Sequence, residues 1–143
     1  MLISTRGRYA LRVLVDMAEH RSEDYLPLKD IARRQGISEK YLESIVKDLV
    51  KNDVVTGLRG KGGGYRLCHA PEQINVGDVL RYMEGELAPV SCLEKGAAPC
   101  AHAAECRTLE FWRGLDEAIH SYTSSYTLAD LTNRVQPGND YVI

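Results

Sequence analysis

The chain has 143 residues, enough for one compact domain with an added arm, and its 44% hydrophobic and 27% charged content is that of an ordinary globular protein. No apolar run reaches the ~20 residues of a membrane span. The first dozen residues carry Arg6, Arg8 and Arg12 but no long apolar core or cleavage site, so a secretory signal is not expected and the cytoplasm is.

The net charge of −2 hides an asymmetry. Residues 1–66 hold 13 Lys/Arg against 9 Asp/Glu, and residues 67–143 hold 5 against 11. A basic head on an acidic body fits a polyanion partner, although surface variation can produce the same swing. No Ser/His/Asp set, nucleotide-binding loop or paired acid and base is evident, so an enzyme is not expected.

In chain order, Tyr9, Leu11, Val13, Leu14, Met17 and Ala18 recur at helical spacing and predict a first helix over 6–20. Residues 21–27 read as a connection. Leu28, Ile31 and Ala32 start a short second helix that stops near Gly36. Ser38 sits where an N-cap belongs, and Tyr41, Leu42, Ile45, Leu49 and Val50 carry a third helix to about Lys51. Residues 54–58 and 65–68 predict two short strands around a basic, glycine-rich tip, Arg59-Gly-Lys-Gly-Gly-Gly64. Asn75 caps a helix over 76–84, a loop of small residues spans 86–106, and a long helix follows over 108–126. Thr127 and Asp130 have the spacing of a capping box.

Helix, tight turn, helix and basic hairpin is the order of a winged helix-turn-helix, whose second helix enters the major groove of DNA. The side chains placed for that role are Ser38, Lys40, Tyr41, Glu43, Ser44 and Lys47, with Arg59 and Lys61 on the wing reaching phosphate or a minor groove. Arg33, Arg34 and Lys40 also read as a solvated helix face, Glu43 as one half of an i,i+4 pair with Lys47, and the glycine run as a plain turn. The run is not a phosphate loop of the Walker type, since no Gly-Lys-Ser/Thr follows at the required spacing. Cys68, at the end of the second strand, reads as structural.

Three more cysteines lie in one loop, as Cys92-x7-Cys100-x5-Cys106 among Gly96, Ala97, Ala98, Ala101, Ala103 and Ala104. Disulfides are disfavoured in a cytosolic protein, and soft thiolates suit an iron–sulfur cluster or zinc. The spacing leaves three readings open: a cluster completed by a further ligand, a Cys3His zinc site with His102, or unligated redox thiols. After the loop, Trp112, Leu115, Ile119, Tyr122 and Tyr126 repeat at 3, 4, 3, 4 spacing, a coiled-coil seam for a second copy or a face for the chain's own core.

The runs Thr5-Arg-Gly-Arg-Tyr-Ala-Leu11, Tyr41-Leu-Glu43 and Leu58-Arg-Gly-Lys-Gly-Gly-Gly-Tyr65, then Phe111-Trp112 and Thr127-Leu-Ala-Asp-Leu131, resemble the IscR/NsrR/CymR-type (Rrf2) family of bacterial winged-helix regulators. The resemblance spans nearly the whole chain, and the glycine-rich wing is its most specific part. It implies a mostly α fold with a small β-hairpin wing and a long C-terminal dimerisation helix. Residues 1–85 would form the DNA-binding domain, 86–107 the sensor loop, 108–133 the dimerisation helix and terminal turn, and 134–143 a tail. It implies a homodimer that binds a palindromic promoter site on double-stranded DNA, most often as a repressor, with Glu43 close to the bases. It also implies that Cys92, Cys100 and Cys106 hold a cluster of two or four irons that senses iron, redox state or nitric oxide. Leu109 and Arg8 stand where relatives supply a further ligand, which leaves His102, Glu105 and Glu110 as local donors. The rival readings are a cluster-free thiol or metabolite sensor of the same fold and an adaptor that binds a partner protein instead of DNA.

Overall fold

The structure, a computed structural model, describes residues 3–132. Six helices and one hairpin follow in the order α1 (Thr5–Glu19), α2 (Leu28–Gln35), α3 (Glu39–Lys51), β1 (Val55–Leu58), β2 (Gly64–Leu67), α4 (Val76–Glu84), α5 (Leu109–Ser124) and α6 (Leu128–Thr132). The fold is mostly α with a two-stranded antiparallel wing. The tail 134–143 and residue 133 lie outside the described residues.

Local signals set the helix ends. Ser4 and Ser38 accept the backbone N–H groups of Gly7 and Tyr41 at 3.2 Å, and Asn75 accepts that of Asp78 at 3.2 Å. Gly36 closes α2 with a left-handed φ of 64°, which lets the chain turn sharply into α3. Thr127 and Asp130 form the expected reciprocal box, with Thr127 N–H donating to Asp130 Oδ2 at 2.8 Å and Asp130 N–H to Thr127 Oγ1 at 3.3 Å.

One apolar core joins α1, α2, α3 and the wing. Leu14, Ile31, Leu42, Ile45, Val46 and Leu49 are fully buried in it. A single acid sits among them. Asp16 is 2% exposed and accepts Arg34 Nη2 at 2.6 Å, Arg34 Nε at 3.0 Å and Gln35 Nε2 at 2.8 Å. Burial opposes its ionisation most strongly. The bonds from Arg34 and Gln35 and the charges of Arg34 and His20 together outweigh that, and hold the carboxyl below its ordinary range. Arg34 is therefore a tie between α1 and α2 whose side chain still reaches water.

The wing pairs Val55 with Leu67 through Leu58 with Gly64. It has a third partner that the sequence did not announce. Leu26, in the connection after α1, exchanges two backbone hydrogen bonds of 2.8 Å with Tyr65. A side chain at Gly64 would run into the Leu26 carbonyl, so the wing can lie this close only with glycine there.

A second small cluster, Val76, Leu80 and Leu87, receives Leu11, Ile119, Tyr126 and Leu131. The long α5 has no buried residue, and Phe111, Leu115 and Tyr122 are 66%, 37% and 66% exposed. The apolar seam is thus divided. Ile119 and Tyr126 lean on the chain's own cluster, while Leu115 and Tyr122 present their surfaces outward.

Candidate nucleic-acid interface

The helix α3 buries Leu42, Ile45, Val46 and Leu49 along one stripe, as its 3.6-residue period requires, and turns Glu39, Lys40, Glu43 and Lys47 to solvent. Beside this outer face stands the wing. Between them runs a groove of about 670 Å³, lined by Glu39, Glu43, Lys47 and Val50 on the helix side and Leu58, Arg59, Gly64 and Tyr65 on the wing side. The elements that were separate in sequence therefore share one surface.

The individual residues divide into two groups. Lys40, Arg59 and Lys61 are exposed, and among the described residues none has a carboxylate within ion-pair distance. Glu43 and Lys47 are also exposed and stand 3.9 Å apart, a loose i,i+4 pair that another charge can displace at little cost. Ser38 is exposed at the first turn, with its hydroxyl engaged as the N-cap.

Tyr41 and Ser44 are held differently. Tyr41 is half-buried, edge-on to Tyr9 at 6.0 Å, and packs against the core, so its ring wedges α3 against α1. The Ser44 hydroxyl accepts Arg6 Nη1 at 2.6 Å, and its carbonyl accepts Arg6 Nη2 at 2.9 Å. Arg6 also pairs with Asp48. Sequence reasoning missed Arg6, because nothing local marks a side chain whose partners lie about 40 positions away.

The cysteine loop has a different character. Cys92 lies in a single 3-10 turn, Ser91–Leu93, and Cys106 follows another, Ala103–Glu105. Cys92, Cys100 and Cys106 are all exposed. Cys106 Sγ is 3.5 Å from Thr108 Oγ1, at the N-terminus of α5. Hydrogen bonds from the Thr108 side chain, then from its backbone, pull the Cys106 thiol below its ordinary range against a small desolvation effect. Among the described residues no three His, Cys, Asp or Glu side chains gather around a point that could hold a metal ion. The donors are chemically right for a cluster, but they do not converge in this conformation. His102 and Glu105 are exposed, and Glu110 is paired with Arg113 at 3.3 Å. Cys68 is exposed as well. Its backbone N–H closes the base of the wing on the Val54 carbonyl at 2.9 Å, while partial desolvation and the Asp53 charge push its thiol up.

The chain has known relatives. The profile of the Rrf2 family, described as an iron-dependent transcriptional regulator, matches residues 3–134. The chain belongs to the Rrf2 family. It is 44% identical over 131 residues to the protein rrf2 of Nitratidesulfovibrio vulgaris, covering 92% of this chain and 87% of that one. It is 39% identical over 133 residues to the transcriptional regulator IscR of Erwinia tasmaniensis, covering 93% and 79%. Among solved structures it resembles CymR, the global cysteine regulator of B. subtilis, with a TM-score of 0.78 at 34% identity over 95% of this chain and 99% of that one. It also resembles IscR of T. potens, with a TM-score of 0.71 at 34% identity over 92% and 85%. The winged-helix architecture is that of this family, and the chain is a transcriptional regulator by relationship. No helix among its described residues is long and apolar enough to cross a membrane.

Proposed function

We propose that this Rrf2 regulator binds a palindromic site on double-stranded DNA as a homodimer, with α3 in the major groove and the wing on the flanking backbone. The observation that carries the reading is the shared surface of α3 and the wing. Glu39, Glu43, Lys47 and Arg59 line one groove, and the same helix and wing carry the exposed Lys40 and Lys61. Lys40 and Lys61 meet phosphate, where contact sets position and adds little base information. Glu43 accepts from cytosine N4 and disfavours other bases. Arg59, on the wing tip, reaches phosphate or a minor groove. Tyr41 and Ser44 act behind the reading face and hold it in place.

The second copy covers α5. A 16-residue helix with no buried residue, carrying Phe111 and Leu115 outward, gains most of its stability from another surface. Two copies joined there present two reading heads to two half-sites, so each contact raises the effective concentration of the other.

The loop between the reading domain and α5 receives the signal. The donor set of Cys92, Cys100 and Cys106, the family's description and the IscR relatives all support an iron–sulfur cluster of two or four irons, formed when the loop draws its thiols together. The separated, exposed thiols and the acidified Cys106 favour a second reading, in which the thiols themselves are the sensors. Purification without oxygen, followed by visible absorption and by iron and sulfide analysis, separates the two. The DNA reading is tested by selecting duplexes from a random pool and measuring how affinity falls with salt.

A further inference from the structure

Two residues expected to face DNA, Ser44 and Tyr41, are engaged from behind, and the Ser44 contact comes from the first turn of another helix. Arg6 donates to both the hydroxyl and the carbonyl of Ser44 and pairs with Asp48, one turn further along α3. Ser44 and Asp48 follow Glu43 and Lys47 directly in sequence, so the clamp grips the helix beside two of its outward charges.

The clamp is itself anchored. The turn that carries Arg6 begins at Ser4, whose N–H and hydroxyl both donate to Glu84 Oε1, at 2.9 and 2.7 Å. Gly7 offers no side chain where that carboxylate lies. Arg6 thus hangs between α4 and α3, its root fixed at Glu84 and its tip on the recognition helix.

The apolar stripe of α3 cannot supply what this clamp does. Burial of Leu42, Ile45, Val46 and Leu49 is favourable but non-directional, and tolerates a small roll about the helix axis. A guanidinium is planar, and its hydrogen bonds to an oxygen and a carboxylate are directional. Side-chain ends lie about 6 Å from a helix axis, so a roll of about 10° moves them by about 1 Å. That displacement spoils a base-edge hydrogen bond but leaves a long-range phosphate attraction almost unchanged.

We propose that Arg6 is a specificity-determining positioning residue: by holding Ser44 and Asp48 it fixes the roll of α3, and hence the angle at which Glu43 and Lys47 meet the bases. The proposal rests on the DNA-binding reading above.

The test uses the full chain and its R6K, D48N and E84Q variants. The parent's preferred duplex is first obtained by selection from a random pool. Affinities for that duplex and for a scrambled one of the same length are then measured at one salt concentration, beside a thermal melt. R6K should lower the preference for the selected duplex roughly tenfold, the discrimination carried by about one base pair, while scrambled binding stays within about twofold. D48N should act in the same direction, R6K with D48N should be no worse than R6K alone, and E84Q should give a smaller loss. An unchanged preference in folded R6K and D48N overturns the proposal. So does an equal loss on both duplexes, which would make Arg6 a phosphate contact or a general stabiliser. Should R6K fail to fold, the isosteric D48N decides alone. A parent that enriches no duplex overturns the DNA-binding reading first, whereas a parent with a clear motif and an unaltered R6K overturns only the role of Arg6.

Discussion

Replacing Asp16 with alanine should destabilise the protein by about 2–4 kcal/mol at pH 7, a range set from the cost of breaking a buried pair and lowered because one partner reaches water. Asp16 is 2% exposed and accepts three hydrogen bonds from Arg34 and one from Gln35. Its removal leaves the Arg34 guanidinium, 27% exposed, without its carboxylate. For a chain of this length each kcal/mol lowers the melting temperature by about 2–5 °C, so the midpoint should fall by roughly 5–15 °C. The pH dependence is more diagnostic. The folded carboxyl is held below its ordinary value, so its stabilisation is complete above the unfolded pKa near 3.8 and is lost as pH falls through the lower folded value. The gap between parent and D16A should therefore be widest at neutral pH and shrink below about pH 4. Melting followed by circular dichroism at pH 7, 5, 4 and 3 measures it. A gap that is small at pH 7, or that stays constant down to pH 3, would refute the role given to this ion pair.

Other substitutions probe the surface and the assembly. K61A should weaken DNA binding almost equally on all sequences and reduce the slope of log affinity against log salt by roughly one, as read from titrations at several salt concentrations. E43A should relax the selected motif more than it weakens binding, and recovery of the parent's motif from a random pool would exclude base readout by this residue. Leu115→Arg, on the outward part of α5, should convert the proposed dimer to a soluble monomer in sedimentation; an unchanged mass would show that α5 is not the joining surface. C92A, C100A and C106A should each abolish the colour of protein prepared without oxygen, while C68A leaves it intact. A colourless parent that is supplied with iron and sulfide and still titrates three loop thiols would favour the thiol reading.

Features written in short-range chemistry are legible in the sequence. Ser38, Gly36, Asn75 and the Thr127–Asp130 box mark helix ends through contacts within four residues, and the apolar period of α1 and α3 identifies their buried stripes. The wing was legible from its glycines. What escaped was long-range. The Leu26–Tyr65 bridge depends on the wing folding back on a connection with no strand pattern. The Arg6 clamp and the Asp16–Arg34 pair join residues 18 to 42 positions apart. Asp16 did carry a signal, since an acid between Val13 and Met17 lies on the core-facing stripe and must find a cation there. The cysteine loop is the reverse case. Its donors are plain in the sequence, but their convergence depends on a conformation that spacing does not dictate.

A single experiment decides whether α3 and the wing of a paired molecule read DNA. Duplexes are selected from a random pool by the full-length protein, and the mass of the complex with the enriched duplex is determined by sedimentation. The expected result is a palindromic motif with half-sites about one helical turn apart, occupied by two chains per duplex and released as salt rises. An enriched motif without two-fold symmetry and bound by one chain, or no enrichment at any salt concentration, would contradict it.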